Sequence, residues 1–316
     1  MRLVLPKAPP YSGLLPAPPR VTLDRDLARL RIPRVNGRLP PAVDALDYLM
    51  ACFSQIAYVP TAHEAANRRR TKVVPSSLFE EMSAAGRAAD VAALIRQAFR
   101  DAGETLVRRV ATANSVTTLT RLAGVVVIAS RGTRLFHSFL RPSRDLLIDL
   151  DALPVAWGSP DTRYHFGFLE EACASIPAVR SAYEEIGKGL PIFFTGHSLG
   201  GALSTVTDRL WGEAWPADER STIVFGCPRF GNARAAGRLP CRALVRPWDP
   251  VPGVPVGFGY ADPIMVFRLP APAPRAWVRL WRNHSMEGYR RAVAIREKRA
   301  SEDESLFRRF ATAIAP

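Results

Sequence analysis

The stretch LPIFFTGHSLGGA, residues 190–202, decides the fold of this chain. Its first half is an apolar run typical of a strand that is buried on both faces, and its second half opens a helix with small residues. Between the two lies Gly196-His197-Ser198-Leu199-Gly200, a Gly-x-Ser-x-Gly pentapeptide in the strand–turn–helix context that its chemistry requires. We therefore predict that Ser198 lies on a sharp, strained turn, with its hydroxyl presented above the edge of a sheet as a nucleophile.

The residues on either side of this stretch predict strands alternating with helices. We expect strands near 106–111, 115–122, 124–129, 190–195, 222–225, 243–245 and 264–267, and helices near 43–58, 77–102, 168–186 and 203–211 and after residue 284. Such alternation favours a mostly parallel central sheet with helices on both faces, the α/β-hydrolase architecture. Residues 1–41 are proline-rich and are predicted to form an arm, and residues 42–316 are predicted to form a single domain.

A serine hydroxyl needs a base, and the chain has five histidines. His284 alone lies downstream of Ser198 at a loop-to-helix junction, as the hydrolase order Ser, Asp or Glu, His requires. The acid should lie between them, just after a strand. Asp249, followed by a Pro-Val-Pro turn, fits best, and Asp262 is the rival that the sequence leaves open.

The developing negative charge of an acyl transfer needs hydrogen-bond donors. One is the backbone N–H of Leu199, the residue after the nucleophile. A second is expected from the loop after an earlier buried strand, where Ser130-Arg131-Gly132-Thr133 follows residues 124–129. Thr133 is the candidate there, although an ordinary turn would have the same sequence.

Together these motifs resemble the class 3 lipases, the fungal triacylglycerol lipase-like branch of the α/β-hydrolases. The matching segments occur in the order of the family: residues 124–133, 145–150, 165–168, 195–202, 225–232, 249–252 and 284–286. The resemblance implies a catalytic triad of Ser198, Asp249 and His284, an oxyanion hole at Thr133 and Leu199, and neither a metal nor an organic cofactor.

The function that follows is hydrolysis of a carboxylic ester of a lipid, a glyceride or a phospholipid, through an acyl-enzyme. Two alternatives stay open. The same scaffold supports soluble-ester hydrolases and acyltransferases, and a non-catalytic lipid-binding protein could retain the fold. Interfacial activation would favour the lipase, and failure to react with a fluorophosphonate would favour the non-catalytic protein.

The charge of the chain bears on its partners. The formal net charge is +14, with 43 basic residues of which four are lysines. This reflects either a compositional bias toward arginine or attraction to an anionic membrane or lipid surface; no nucleic-acid motif accompanies it.

The segment from 133 to 145 follows the oxyanion threonine and carries apolar residues between arginines, so we predict a mobile lid, with packing on the domain as the alternative.

The N-terminal sequence bears on location. Residues 3–5 form an apolar run too short for a signal peptide, and no apolar run reaches the length of a membrane span. The sequence therefore predicts a cytoplasmic protein, with export by a non-classical route as the alternative. It leaves the oligomeric state open.

Overall fold

The computed structural model describes residues 46–58, 106–112, 115–122, 124–131, 153–237, 241–263, 265–270 and 283–297, together with 300, 301, 303 and 307. The strands are β1 (Leu106–Ala111), β2 (Val116–Leu122), β3 (Val125–Arg131), β4 (Pro154–Trp157), β5 (Ser159–His165), β6 (Ile192–His197), β7 (Arg220–Phe225), β8 (Cys241–Val245) and β9 (Met265–Arg268). The helices are α1 (Leu46–Ile56), α2 (Phe166–Gly187), α3 (Leu199–Ala214), α4 (Ala233–Gly237) and α5 (Met286–Arg296). The predicted arm at 1–41 and the predicted helix at 77–102 lie outside the described residues.

Seven of these strands form one sheet in the order β1-β2-β3-β6-β7-β8-β9. The pairs β1–β2 and β2–β3 are antiparallel. The remaining pairs are parallel, from β3 through β9. The predicted mostly parallel sheet is therefore confirmed, and β6 occupies its middle. Ligands of such sheets bind at the carboxyl ends of the strands, which is where Ser198 follows β6.

The side chains of the central strands alternate between two apolar layers. On one face, Val125 and Val127 of β3 pack in a cluster with buried residues of α1 and α5. On the other face, Val126 and Ile128 pack with buried residues of α2 and α3. The continuous apolar run of β3 is thus explained by a strand that is covered on both sides.

Helix α1 is buried along its whole length, and polar contacts fix its position. Asp47 accepts hydrogen bonds from Arg242 of β8 at 2.8 and 2.7 Å and also pairs with Arg296. Near the other end, the hydroxyls of Ser54 and of Thr195 in β6 are 2.8 Å apart. These contacts hold the C-terminal end of α1 beside the strand that carries the nucleophile candidate.

The hairpin of β4 and β5 was not predicted from the sequence. Its two strands form a separate antiparallel sheet, and most of their residues are at least partly exposed. An exposed hairpin lacks the apolar run or strict alternation that marks a strand. Of the helices among the described residues, none is long and apolar enough to cross a membrane.

Candidate active site

Ser198 occupies the strained turn that the sequence predicts. Its backbone has φ 59° and ψ −132°, in a region that residues with a side chain rarely adopt. The turn is sterically closed, because a Cβ built on Gly196 would lie 2.3 Å from the carbonyl oxygen of Gly200. A glycine at position 196 is therefore what allows the chain to double back and α3 to begin at Leu199.

The hydroxyl of Ser198 lies against the histidine selected from the sequence. Ser198 Oγ is 2.8 Å from His284 Nε2. On the other side of the ring, His284 Nδ1 is 3.0 Å from each carboxylate oxygen of Asp249. The side chains of Asp249 and His284 are 0% and 8% exposed. Three residues, from the turn after β6, from the loop after β8 and from the segment just before α5, thus form one hydrogen-bonded chain.

The carboxylate of Asp249 has further donors. The Val251 N–H donates to Oδ1 at 2.9 Å, and the Tyr289 hydroxyl donates to Oδ2 at 2.5 Å. Burial, and then the negative charge of Asp249, raise the pKa of Tyr289 well above its ordinary value, so its hydroxyl keeps the proton that it donates. A Cβ on Gly226 would lie 3.0 Å from both Asp249 Oδ2 and the Tyr289 hydroxyl, which accounts for glycine there.

The carboxylate of Asp262, the alternative candidate for the acid, has a different partner. Asp262 accepts a hydrogen bond from Arg229 Nε at 2.7 Å, and its side chain is 60% exposed. Asp262 therefore belongs to a surface ion pair, whereas Asp249 is buried against the imidazole of His284.

Two other histidines lie in the described part of the chain. His165 is buried and packs its ring against Phe168 at a centroid distance of 4.4 Å. The side chain of His197 contacts His284: the two rings lie against each other, and Nε2 of His197 reaches the main-chain carbonyl oxygen of His284. Burial, followed by the nearby His284 and Arg246, holds the pKa of His197 well below its ordinary value, so His197 is neutral.

Of the two predicted oxyanion donors, the structure describes only Leu199. Leu199 is the first residue of α3, so its N–H has no acceptor within the helix and lies at the positive end of the helix dipole. Thr133 lies outside the described residues, and so does the predicted lid from 133 to 145.

A shallow depression of about 720 Å³ lies elsewhere on the surface. It is lined by Arg163, Asn232, Ala233, Arg234, Phe258 and Gly259, and none of the three residues of the hydrogen-bonded chain takes part. Within the described residues no group of three or more His, Cys, Asp or Glu side chains could hold a metal ion. The chemistry that the described residues can perform is therefore centred on Ser198.

A central, mostly parallel sheet with a serine on a strand–turn–helix elbow and a downstream Asp and His defines an α/β-hydrolase. Comparison with known proteins points to the same family as the motifs. Residues 127–258 match the family model described as lipase (class 3). This match agrees with the resemblance that the motifs of the chain carry.

Two similar proteins illustrate this relationship. The secreted mono- and diacylglycerol lipase 1 of Fusarium solani is 36% identical over 106 residues, which are 30% of this chain and 31% of that protein. The match thus spans about a third of the length of this curated relative. Among solved structures, the nonglycosylated LIP2 lipase of Yarrowia lipolytica matches with a TM-score of 0.50 at 15% identity, covering 71% of this chain and 79% of that one. This similarity supports the fold.

The comparisons also correct one expectation. The sequence predicted a cytoplasmic protein, but the curated relative from Fusarium solani is a secreted lipase. The cytoplasmic prediction is therefore wrong. The prediction rested on the shortness of the apolar run at residues 3–5, and the length of that run does not determine where the protein is located.

The sequence analysis missed the residues that support the acid and the base. Tyr289 contacts Asp249, and Arg246 Nη1 donates to the carbonyl oxygen of Asn283 at 2.9 Å. The contact between His197 and His284 was also not predicted. The available signal was weak: a tyrosine five residues after His284 and an arginine three residues before Asp249 are not part of the motifs that we used.

Proposed function

We propose that this chain is a serine esterase that hydrolyses carboxylic esters of lipids, with Ser198 as nucleophile, His284 as general base and Asp249 as the acid of the triad. The observation that carries this proposal is the chain of contacts from Ser198 Oγ through His284 to Asp249, at 2.8 and 3.0 Å. These distances lie within the hydrogen-bond reach that proton transfer to a general base requires.

In the proposed reaction Ser198 Oγ attacks the ester carbonyl carbon and its proton passes to His284 Nε2. The carboxylate of Asp249 holds Nδ1–H and stabilises the imidazolium that forms. The Leu199 N–H, and a donor from Thr133, bind the oxygen that becomes negative. His284 then protonates the leaving alcohol, and an acyl-enzyme remains on Ser198. Water attacks this ester with His284 again as base, which releases the acid and restores the serine.

The proposed substrate is a lipid ester, a glyceride or a phospholipid. The match of residues 127–258 to the class 3 lipase family model supports a lipid. The Fusarium solani relative is a mono- and diacylglycerol lipase, which favours the glyceride. A secreted location, as in that relative, is part of the same proposal.

Labelling and hydrolysis test the proposal together. The wild-type chain is incubated with a fluorophosphonate and assayed on a p-nitrophenyl ester, a diglyceride, a triglyceride and a phospholipid, each below and above its solubility limit. We expect stoichiometric labelling and turnover of a lipid. Ser198→Ala should stay folded, lose the label and lose at least about 10³-fold in kcat. Normal turnover by this variant would overturn the proposed nucleophile, and turnover of the soluble ester alone would overturn the lipid substrate.

We further propose that the chain works at an anionic lipid surface. The net charge of +14 supports attraction to such a surface. The segment around the acid, residues 248–258, supports apolar contact, because Trp248, Val256 and Phe258 are 58%, 75% and 72% exposed. Exposed apolar side chains next to an active site are typical of an interaction with lipid.

Substitution at this segment tests the surface proposal. Val256→Ser with Phe258→Ser should reduce activity on anionic vesicles and spare a short soluble ester. Ile295→Ser, at another exposed apolar side chain on α5, is the matched control. Vesicle binding by the wild type should weaken as salt is added, because exposed charges are screened beyond about 10 Å at 0.1 M. Equal losses on both substrates would contradict the proposal.

A further inference from the structure

The imidazole of His197 lies directly against that of His284. The ring centroids are 4.6 Å apart and the ring planes are inclined by 33°. Nε2 of His197 is 2.6 Å from the main-chain carbonyl oxygen of His284. Because a carbonyl oxygen only accepts hydrogen bonds, the proton of this contact is on Nε2 of His197. The side chain that precedes the candidate nucleophile therefore holds the backbone of the candidate base.

The hydroxyl of Tyr58 completes this arrangement from the end of α1. It lies 3.0 Å from Nδ1 of His197 and 3.2 Å from the carbonyl oxygen of the same residue. A neutral imidazole with its proton on Nε2 has an acceptor at Nδ1, so the hydroxyl proton of Tyr58 is shared between two acceptors of His197. The tautomer itself follows from the carbonyl oxygen of His284, which only accepts, and the Tyr58 hydroxyl holds the ring from its other nitrogen.

The surroundings of His197 keep it uncharged. Burial is the main cause that lowers its pKa, and His284 and Arg246 add to it. Tyr289 faces the ring from α5 at a centroid distance of 5.6 Å, and Asp249 lies on the far side of His284. A neutral His197 suits a neighbour that gains a proton during turnover, because two imidazolium rings in contact would repel each other.

A hydrogen bond also holds the main-chain carbonyl of the residue that precedes His284. Arg246 Nη1 donates to the carbonyl oxygen of Asn283 at 2.9 Å, one residue before His284. The Ser285 side chain accepts from the Gly288 N–H and caps α5 one residue after it. The backbone on both sides of His284 is thus fixed, and the His197 contact fixes the residue itself.

We propose that His197 is a positioning residue, whose Nε2–H fixes the main chain of His284 so that its ring stays in line between Ser198 and Asp249, while the Tyr58 hydroxyl holds the imidazole of His197 from the other side. The proposal rests on the proposed function. It also gives the end of α1 a role in the active site, through Tyr58.

Two variants of His197 separate positioning from packing. His197→Gln keeps an N–H near the position of Nε2, whereas His197→Leu fills the space without a donor. On a soluble ester we expect His197→Leu to lower kcat by about 10²-fold, with KM changed by less than about 3-fold, and His197→Gln to stay within about 10-fold of the wild type.

The outcome of this comparison is decisive in both directions. A loss of packing alone would lower the melting temperature without favouring Gln over Leu in kcat. Two folded variants with equal kcat would overturn the proposal. His165→Gln, at a buried histidine that packs on Phe168, is the control and should leave kcat on the soluble ester unchanged.

A measurement without substrate separates this proposal from the proposed function. Long-range ¹H–¹⁵N spectra of the histidine rings report the tautomer of His197 in the whole chain. We expect the Nε2–H form in the wild type and also in Tyr58→Phe, because the carbonyl oxygen of His284 remains the acceptor in both. An Nδ1–H form in the wild type would overturn the positioning role. A chain without fluorophosphonate labelling and without turnover would overturn the proposed function, while the same spectra would still decide on the His197 contact.

Discussion

The nucleophile and its two partners are held in place by different means. Ser198 is placed by the backbone: a positive φ, a strand that ends at His197 and a helix that begins at Leu199. Asp249 and His284 are placed by side chains, since Tyr289 holds the carboxylate and Arg246 holds the segment before the base. The backbone turn is formed by neighbouring residues, whereas the side-chain hydrogen bonds join residues from separate elements. We therefore expect a steric change at one residue to disrupt the turn as a whole, and we expect the side-chain network to be weakened one hydrogen bond at a time.

The largest effect is expected at the turn itself. In Gly196→Ala the new Cβ would lie 2.3 and 2.5 Å from backbone atoms of Gly200, which cannot rotate away. We expect a loss of about 3–5 kcal/mol in the free energy of unfolding, measured by urea denaturation, and loss of esterase activity in whatever remains folded. Gly253→Ala is the control, because its Cβ meets nothing within 4 Å. Similar stability of the two variants would show that the turn relaxes.

A smaller but still large effect is expected at the acid. Asp249→Asn keeps the size of the side chain and removes the charge that stabilises the imidazolium of His284, so kcat should fall by about 10⁴-fold. Asp262→Asn breaks only the exposed ion pair with Arg229 and should leave kcat unchanged. Steady-state kinetics on a soluble ester compares the two. An inactive Asp262 variant beside an active Asp249 variant would reverse the assignment.

Removing a single side chain's hydrogen bonds around Asp249 is expected to have a moderate effect. Tyr289→Phe removes the donor to Asp249 and the acceptor of the Arg246 N–H, so we expect about 10-fold lower kcat and a stability loss of about 1–3 kcal/mol. Tyr48→Phe is the matched control, since its buried hydroxyl donates to the Asp303 carbonyl oxygen, away from the site. It should lose similar stability without losing kcat. Equal kcat in both variants would show that Tyr289 does not support Asp249.

The same contrast explains how much the sequence could predict. The turn at Ser198 and the strand before it depend on neighbouring residues, so a short motif was enough to predict them. The order of the motifs also placed Asp249 and His284 in one site. Tyr58 and Tyr289 could not be found in this way, because their roles depend on where α1 and α5 pack against the sheet. The hairpin β4–β5 was missed for a related reason: its polar residues form strands through pairing and not through an apolar pattern.

The smallest predicted effect concerns the stability of the fold at low pH. Burial keeps His197 neutral in the folded chain and lowers its pKa well below the ordinary value. In the unfolded chain a histidine takes up a proton near pH 6.5, so below that pH the unfolded state binds one proton more and is favoured. The stability that depends on the neutral imidazole is present above about pH 6.5 and is lost as the pH falls.

The side chain of His197→Gln does not titrate, so between pH 7 and 5.5 its free energy of unfolding should fall by about 1 kcal/mol less than that of the wild type. Tyr58→Phe keeps the imidazole and should follow the wild-type slope. Urea denaturation at each pH measures the three slopes, and parallel slopes for wild type and His197→Gln would mean that His197 takes up its proton as readily in the folded chain as in the unfolded chain.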